Sequence, residues 1–219
     1  MNKIVIDKNQ VLKFLGYGER EPHIKIIDMV NSEVEKLQEY MEPQFYSKIV
    51  DIKEATNNKI ILENHMILEG EYLYNQLKDC KSIAVNVATI GKEIAILENE
   101  YISRRESMRA IICDKIAVVA LDTVVDENRN KLSIRLKEEG LNISSETSPG
   151  EGGVSLENQK LIFKILQYEN MCVKLNEFCM MEPTKSSSFI WGIGKGESMD
   201  CGHRCSRCKN PCGFKDGNW

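Results

Sequence analysis

Lys81-Ser82-Ile83-Ala84-Val85-Asn86-Val87-Ala88-Thr89-Ile90-Gly91 alternates apolar and polar side chains through Val87 and stops at a glycine. A period of two is the mark of a strand, so this stretch is read as a central strand that hands over to a helix. The region from Glu93 to Glu139 is helical in two pieces. In the second, Met108, Ile112, Ile116, Val119 and Thr123 hold one face, and Cys113, Ala117, Ala120 and Val124 widen it. So broad an apolar face belongs to a helix packed deep against a sheet.

Upstream, after a short extended start, Ile24, Ile27, Val30, Val34, Leu37 and Met41 recur at intervals of three and four between Pro22 and Pro43, the stripe of an amphipathic helix. Residues 44 to 68 read as short strands around an Asn57-Asn58 turn, and a helix follows at about 71 to 79. Downstream, Gly140 stops the long helix, a strand covers about 141 to 147, and a Gly-rich turn covers 148 to 153. A helix then runs from about Leu156 to Tyr168 with Ser155 as its N-cap, and extended segments near 173 to 181 and 186 to 194 close the fold. Strands and helices mix without regular βα alternation, which favours an α+β fold with a twisted, largely antiparallel sheet over a doubly wound one.

At Gly192-Ile193-Gly194-Lys195-Gly196-Glu197-Ser198 the composition changes and apolar residues almost vanish. The expected division is an α+β domain over 1–194 and a Cys-rich tail over 195–219. A net charge of −4 with no basic stripe argues against nucleic acid as a partner. No apolar run approaches the roughly 20 residues that span a bilayer, and the N-terminus lacks the apolar core of a secretory signal. A cytoplasmic, reducing location is therefore expected. Cys80, Cys113, Cys172 and Cys179, scattered in apolar stretches, fit it as small hydrophobes.

The other four cysteines lie together in Cys201-Gly202-His203-Arg204-Cys205-Ser206-Arg207-Cys208-Lys209-Asn210-Pro211-Cys212, a C-x3-C-x2-C-x3-C run. So short a segment cannot offset its ordering entropy by burial, whereas metal–thiolate bonds contribute roughly 10 kcal/mol or more. Arg204, Arg207, Lys209 and Lys215 lower nearby thiol pKa values and balance thiolate charge. Crowding of the ligands favours a [4Fe–4S] cluster over zinc, which more often uses two pairs separated by a finger; zinc stays the alternative. His203, inside the run, is read as a neighbour of the site, and His23 and His65 as ordinary surface or packed residues. The first three cysteines share the C-x3-C-x2-C spacing of radical AdoMet enzymes, but the large barrel that follows the motif in those enzymes has no counterpart in the few residues after Cys212.

Ser148-Pro149-Gly150-Glu151-Gly152-Gly153, the helix beginning Leu156-Glu157-Asn158-Gln159, and Met181-Glu182-Pro183-Thr184-Lys185-Ser186-Ser187-Ser188-Phe189-Ile190-Trp191-Gly192 together resemble the reactivation domain of vitamin B12-dependent methionine synthase. The whole resembles more closely the small stand-alone bacterial proteins related to that domain, some with a cysteine-rich tail. The resemblance implies the same α+β fold and a domain that binds AdoMet and docks on a cobalamin domain, so that inactive cob(II)alamin, once reduced, is methylated. It implies a corrinoid protein or methyltransferase as partner, with cobalamin reached through that partner. The family turn has the form Arg-x-x-Pro-Gly-Tyr, with the arginine and the turn backbone contacting AdoMet. Pro149 and Gly150 match it, while Glu146 and Glu151 stand at the arginine and tyrosine places. The implied ligand residues are Glu146, Ser148, Pro149, Gly150 and Glu151. A carboxylate at 146 removes the bidentate partner of a ligand carboxylate. Read from the residues alone, 148–153 is a solvated turn, the two glutamates are surface carboxylates, and Trp191 is a packing residue. No residue is read as catalytic.

Overall fold

The computed structural model describes residues 3–18 and 20–195. Its elements run α1 (Lys8–Phe14), α2 (Ile24–Leu37), β1 (Gln44–Thr56), β2 (Lys59–Leu62), β3 (Ile67–Glu69), α3 (Glu71–Leu77), β4 (Ser82–Thr89), α4 (Glu93–Ser103), α5 (Ser107–Glu138), β5 (Asn142–Thr147), α6 (Asn158–Leu166), β6 (Lys174–Leu175), β7 (Met181–Glu182) and β8 (Ser186–Gly194). Six strands form one sheet in the order β3-β2-β1-β4-β8-β5, with every neighbouring pair antiparallel. The hairpin β6-β7 forms a separate two-stranded sheet. The expected α+β class and antiparallel sheet are what is found.

The alternating stretch that begins at Ser82 is a central strand, flanked by β1 and β8, and every one of its eight residues is buried. Its two faces carry different sizes of side chain. Ile83, Val85 and Val87 join the core under α3 and α6, while Ala84 and Ala88 join the core under α1, α2, α4 and α5. Small residues on the second face let α5 lie close, and α5 answers with Ala110, Cys113, Ala117 and Ala120. Asn86, on the same face, is fully buried but satisfied: its Nδ2 donates to Ala84 O at 3.0 Å, and its Oδ1 accepts from Ser47 Oγ at 2.7 Å.

Glu33 of α2 is likewise fully buried, and its carboxylate accepts hydrogen bonds from Tyr101 of α4 and Arg109 of α5. Lys36 Nζ donates to the Tyr101 hydroxyl at 2.8 Å, so three helices meet at one buried charge. A buried carboxylate is tolerated only with such partners. At the other end of the helix pair, Lys185 lies 2.7 Å from Glu98 Oε2 and 2.8 Å from Asp114 Oδ1, tying the start of β8 to α4 and α5.

Helix ends follow local chemistry. Asp7 accepts from the backbone N–H groups of Asn9 and Gln10 and starts α1, a helix that the sequence reading took for extended chain. His23 Nδ1 accepts from Lys25 N and caps α2. At the end of α5, Gly140 takes φ +67, and Leu141 N returns to Leu136 O at 2.9 Å. The last helix is shorter than expected: Ser155 Oγ caps only a turn through Glu157 N, and α6 begins at Asn158.

Candidate functional site

The turn that the resemblance singles out leaves the end of edge strand β5. Thr147 and Ser148 are buried, Pro149 is half-buried, and Gly150 and Glu151 are exposed. Gly150 N donates to Val154 O at 2.9 Å, Glu151 N to Ser148 O at 3.2 Å, and Val154 N to Glu151 O at 2.9 Å, so the turn closes on its own backbone. Gly150 sits at φ +87, in the left-handed region where a side chain is strained. Ser148 Oγ donates to Glu146 Oε1 at 3.4 Å. Partial desolvation raises the Glu151 carboxyl above its ordinary pKa, although the residue stays exposed. Glu146 near the end of β5 and Ser148, Pro149, Gly150 and Glu151 of the turn therefore lie together and carry two carboxylates.

Glu146 pairs directly with Trp191 of β8, and Trp191 pairs with Ala84 of β4, which pairs with Ile49 of β1. That row crosses the sheet beneath α5 and leads from the turn to a concave region over β1. Two hollows of about 550 and 510 Å³ share Phe45 and Asn128 as walls and lie between β1 and the second half of α5. The first also touches the N-terminal segment Lys3 to Val5 and Glu127; the second is lined by Ser47, Ile49, Lys131, Leu132, Arg135 and Trp191. Trp191 is fully buried, stacked near Phe45 with centroids 6.0 Å apart, and Arg129 lies 5.5 Å over its ring while donating to Ser144 O at 2.7 Å. The Trp191 indole N–H has no acceptor among the described residues. Trp191 thus packs, as its sequence setting suggested, but it packs as the floor of a hollow.

Sequence reasoning missed this hollow. The available signal was the change in α5 after Val125, where Asn128, Lys131 and Arg135 appear beside an apolar face reduced to Leu132 and Leu136. Lys185-Ser186-Ser187-Ser188 is the start of β8, and Ser188 Oγ accepts from Gln159 Nε2 at 3.0 Å inside the α6 layer. Cys80, Cys113, Cys172 and Cys179 are all unpaired. Burial pushes the Cys80 thiol up to about 11 and the Cys113 thiol up to about 12, as expected of small hydrophobes. No group of three or more His, Cys, Asp or Glu suited to a metal occurs among the described residues. Cys201, Cys205, Cys208 and Cys212 lie outside them. None of the described helices is long and apolar enough to cross a membrane.

No family model matches the sequence, and no curated protein matches it. Among solved structures the chain is similar to the MetH reactivation domain bound to AdoHcy, with a TM-score of 0.58 and 14% identity over 77% of this chain. The match covers 64% of that chain, less than two thirds of its length. At such identity the likeness is one of fold, and it agrees with the architecture expected from the Pro-Gly turn and the Met181 to Gly192 stretch.

Proposed function

We propose that this protein is an accessory factor for corrinoid-dependent methyl transfer, of the reactivation type, acting in the cytoplasm. The α+β domain supplies the surface that docks on a cobalamin-binding partner. Cys201, Cys205, Cys208 and Cys212 hold a [4Fe–4S] cluster that passes or senses electrons. The observation that carries this reading is the shared fold with a reactivation domain over most of the described chain. A cluster of this kind moves one electron at a time, which suits the one-electron reduction of cob(II)alamin before it is methylated. Unpaired cysteines throughout the described residues fit a reducing compartment.

The test uses the full chain purified without oxygen, mixed with a cob(II)alamin-loaded methionine synthase cobalamin module, dithionite and AdoMet. The proposal expects a complex of the two proteins and faster loss of the cob(II)alamin spectrum than with dithionite alone. Absence of both a complex and any rate change at saturating protein overturns it. Visible absorbance that bleaches on reduction identifies the cluster, while a colourless chain with one zinc per molecule replaces it with a zinc-pinned interaction module.

A second reading, AdoMet binding with altered contacts, is favoured by the AdoHcy bound to the similar MetH reactivation domain and by the intact Pro149-Gly150 turn. Glu146 and Glu151 argue that any such contact is rebuilt, since neither can pair with a ligand carboxylate. Calorimetry with millimolar AdoMet decides it, and no heat excludes this reading.

A further inference from the structure

The second half of α5 carries exposed cations along the edge of the hollow over β1. Asn128, Lys131, Leu132 and Arg135 recur at helical spacing and all line the 510 Å³ hollow over β1 and Trp191. Lys131 and Arg135 stand one turn apart, where like charges repel. Neither forms an ion pair with a described residue. Lys48 of β1 is a third cation in the lining, and Arg129 lies behind the lining, 5.5 Å from the Trp191 ring. Leu132 and Leu136 continue the apolar face of α5 into the core here, so the two cations flank that face at the rim of the hollow.

The opposite wall, on β1, combines Phe45 and Ile49 with Ser47 and the cation Lys48. Phe45 and Trp191 stack within 6.0 Å at an angle of 25°, and the indole N–H beneath them lacks an acceptor among the described residues. A hollow of this size falls in the range of small-molecule sites, which combine apolar walls with a few placed polar groups. We infer that the hollow between β1 and α5 binds an organic anion whose apolar body lies against Phe45 and Ile49, above the buried Trp191, and whose carboxylate, sulfonate or phosphate is held by Lys131 and Arg135. The guanidinium fork of Arg135 supplies two parallel donors to such a group, and Lys131 adds a point charge. This inference does not depend on the corrinoid reading.

The probe is 8-anilinonaphthalene-1-sulfonate, titrated into the full chain carrying Trp219→Phe, which leaves Trp191 as the sole tryptophan. One probe is expected to bind per chain and to quench Trp191 by energy transfer. The double substitution Lys131→Glu with Arg135→Glu is expected to weaken binding at least about tenfold, the loss of a charge-assisted hydrogen bond. Both side chains are exposed, and circular dichroism is expected to show an unchanged fold. The uncharged analogue N-phenyl-1-naphthylamine is expected to bind more weakly than the sulfonate and to ignore the double substitution. Equal affinity of both probes, equal affinity in the charge-reversed chain, or no transfer from Trp191 at millimolar probe each overturns the inference. No corrinoid enters this assay, so its failure leaves the reactivation assay unaffected, and the reverse holds as well.

Discussion

Gly192 offers the sharpest test of how the two faces of the sheet are packed. A Cβ built on it would lie 2.4 Å from Cys80 Sγ, 2.9 Å from Leu77 Cδ2 and 3.1 Å from Ser144 Oγ. These atoms belong to the end of α3, the link into β4, and β5, while Gly192 N donates to Ser144 Oγ at 2.8 Å. Its φ lies outside the left-handed region, so the backbone accepts alanine, and in open space Gly192→Ala would stabilise the fold by about 0.4–1 kcal/mol. Here the methyl collides with three elements at once, and overpacking of that kind costs about 3 kcal/mol. For a chain of this size that is a fall in Tm of roughly 6–12 °C. Urea unfolding of Gly192→Ala, Cys80→Ala and the double variant forms a cycle. Removing the Cys80 sulfur should return about 1–2 kcal/mol of the loss as coupling energy. A stabilised Gly192→Ala, or strictly additive single effects, would refute the packing argument.

Arg109→Ala leaves the fully buried Glu33 carboxylate with Tyr101 alone, and urea unfolding should show a loss of about 3–5 kcal/mol. In the Asp114 cluster, burial acts against the charged carboxylate, but hydrogen bonds from Lys185 and Lys115 outweigh it and hold the carboxyl below its usual value. A depressed carboxylate contributes stability above its unfolded pKa, about 3.9, and loses it as pH falls through the folded value. The stability gap between wild type and Asp114→Asn should therefore be full at neutral pH and shrink below about pH 4. Burial holds Cys80 and Cys113 as thiols at neutral pH, so iodoacetamide mapped by mass spectrometry should mark exposed Cys172 in the native chain, and Cys80 and Cys113 only in denaturant. Replacing Cys201, Cys205, Cys208 and Cys212 by serine should abolish bound iron while leaving the melting of the α+β domain in place; retained iron refutes the tail as its ligand set.

Much of the scaffold was legible because burial on two faces leaves a strong pattern. The central strand showed as Ile83, Val85 and Val87 alternating with the smaller Ser82, Ala84 and Asn86, although both of its faces are buried; the long helix showed as an apolar arc too wide for a surface helix, and its end as Gly140. The short helix α1 was lost because only Val11 of its seven residues is buried, so its start rests on the Asp7 side chain and not on periodicity. Leu156 and Glu157 fell outside α6 because the tight turn that closes at Val154 continues through hydrogen bonds from Asn158 N and Gln159 N to the carbonyls of Ser155 and Leu156. The closeness of Glu146, Ser148, Pro149, Gly150 and Glu151 was readable, since they fall within six consecutive positions. The β1–α5 hollow was harder, because Phe45, Lys131 and Trp191 meet only through strand order.

The register then joins what sequence kept apart. Glu146 and Trp191 face each other across β5 and β8, so the turn with its two carboxylates and the hollow with its cationic stripe are opposite ends of one row of side chains under α5. Charge along that row runs from negative at the β5 edge to positive over β1, with an apolar floor between. A methyl-sulfonium ligand, positively charged at its centre, is favoured near the carboxylates and opposed near Lys131 and Arg135, whereas an acidic ligand has the reverse preference. Two glutamates at one edge of the sheet and two cations on one helix thus give the two ends of the row opposite ligand preferences. Titrating the sulfonate probe against AdoMet in a single cuvette measures which end of the row each prefers. Displacement of one by the other places both at the shared floor, and independent binding separates the turn from the hollow.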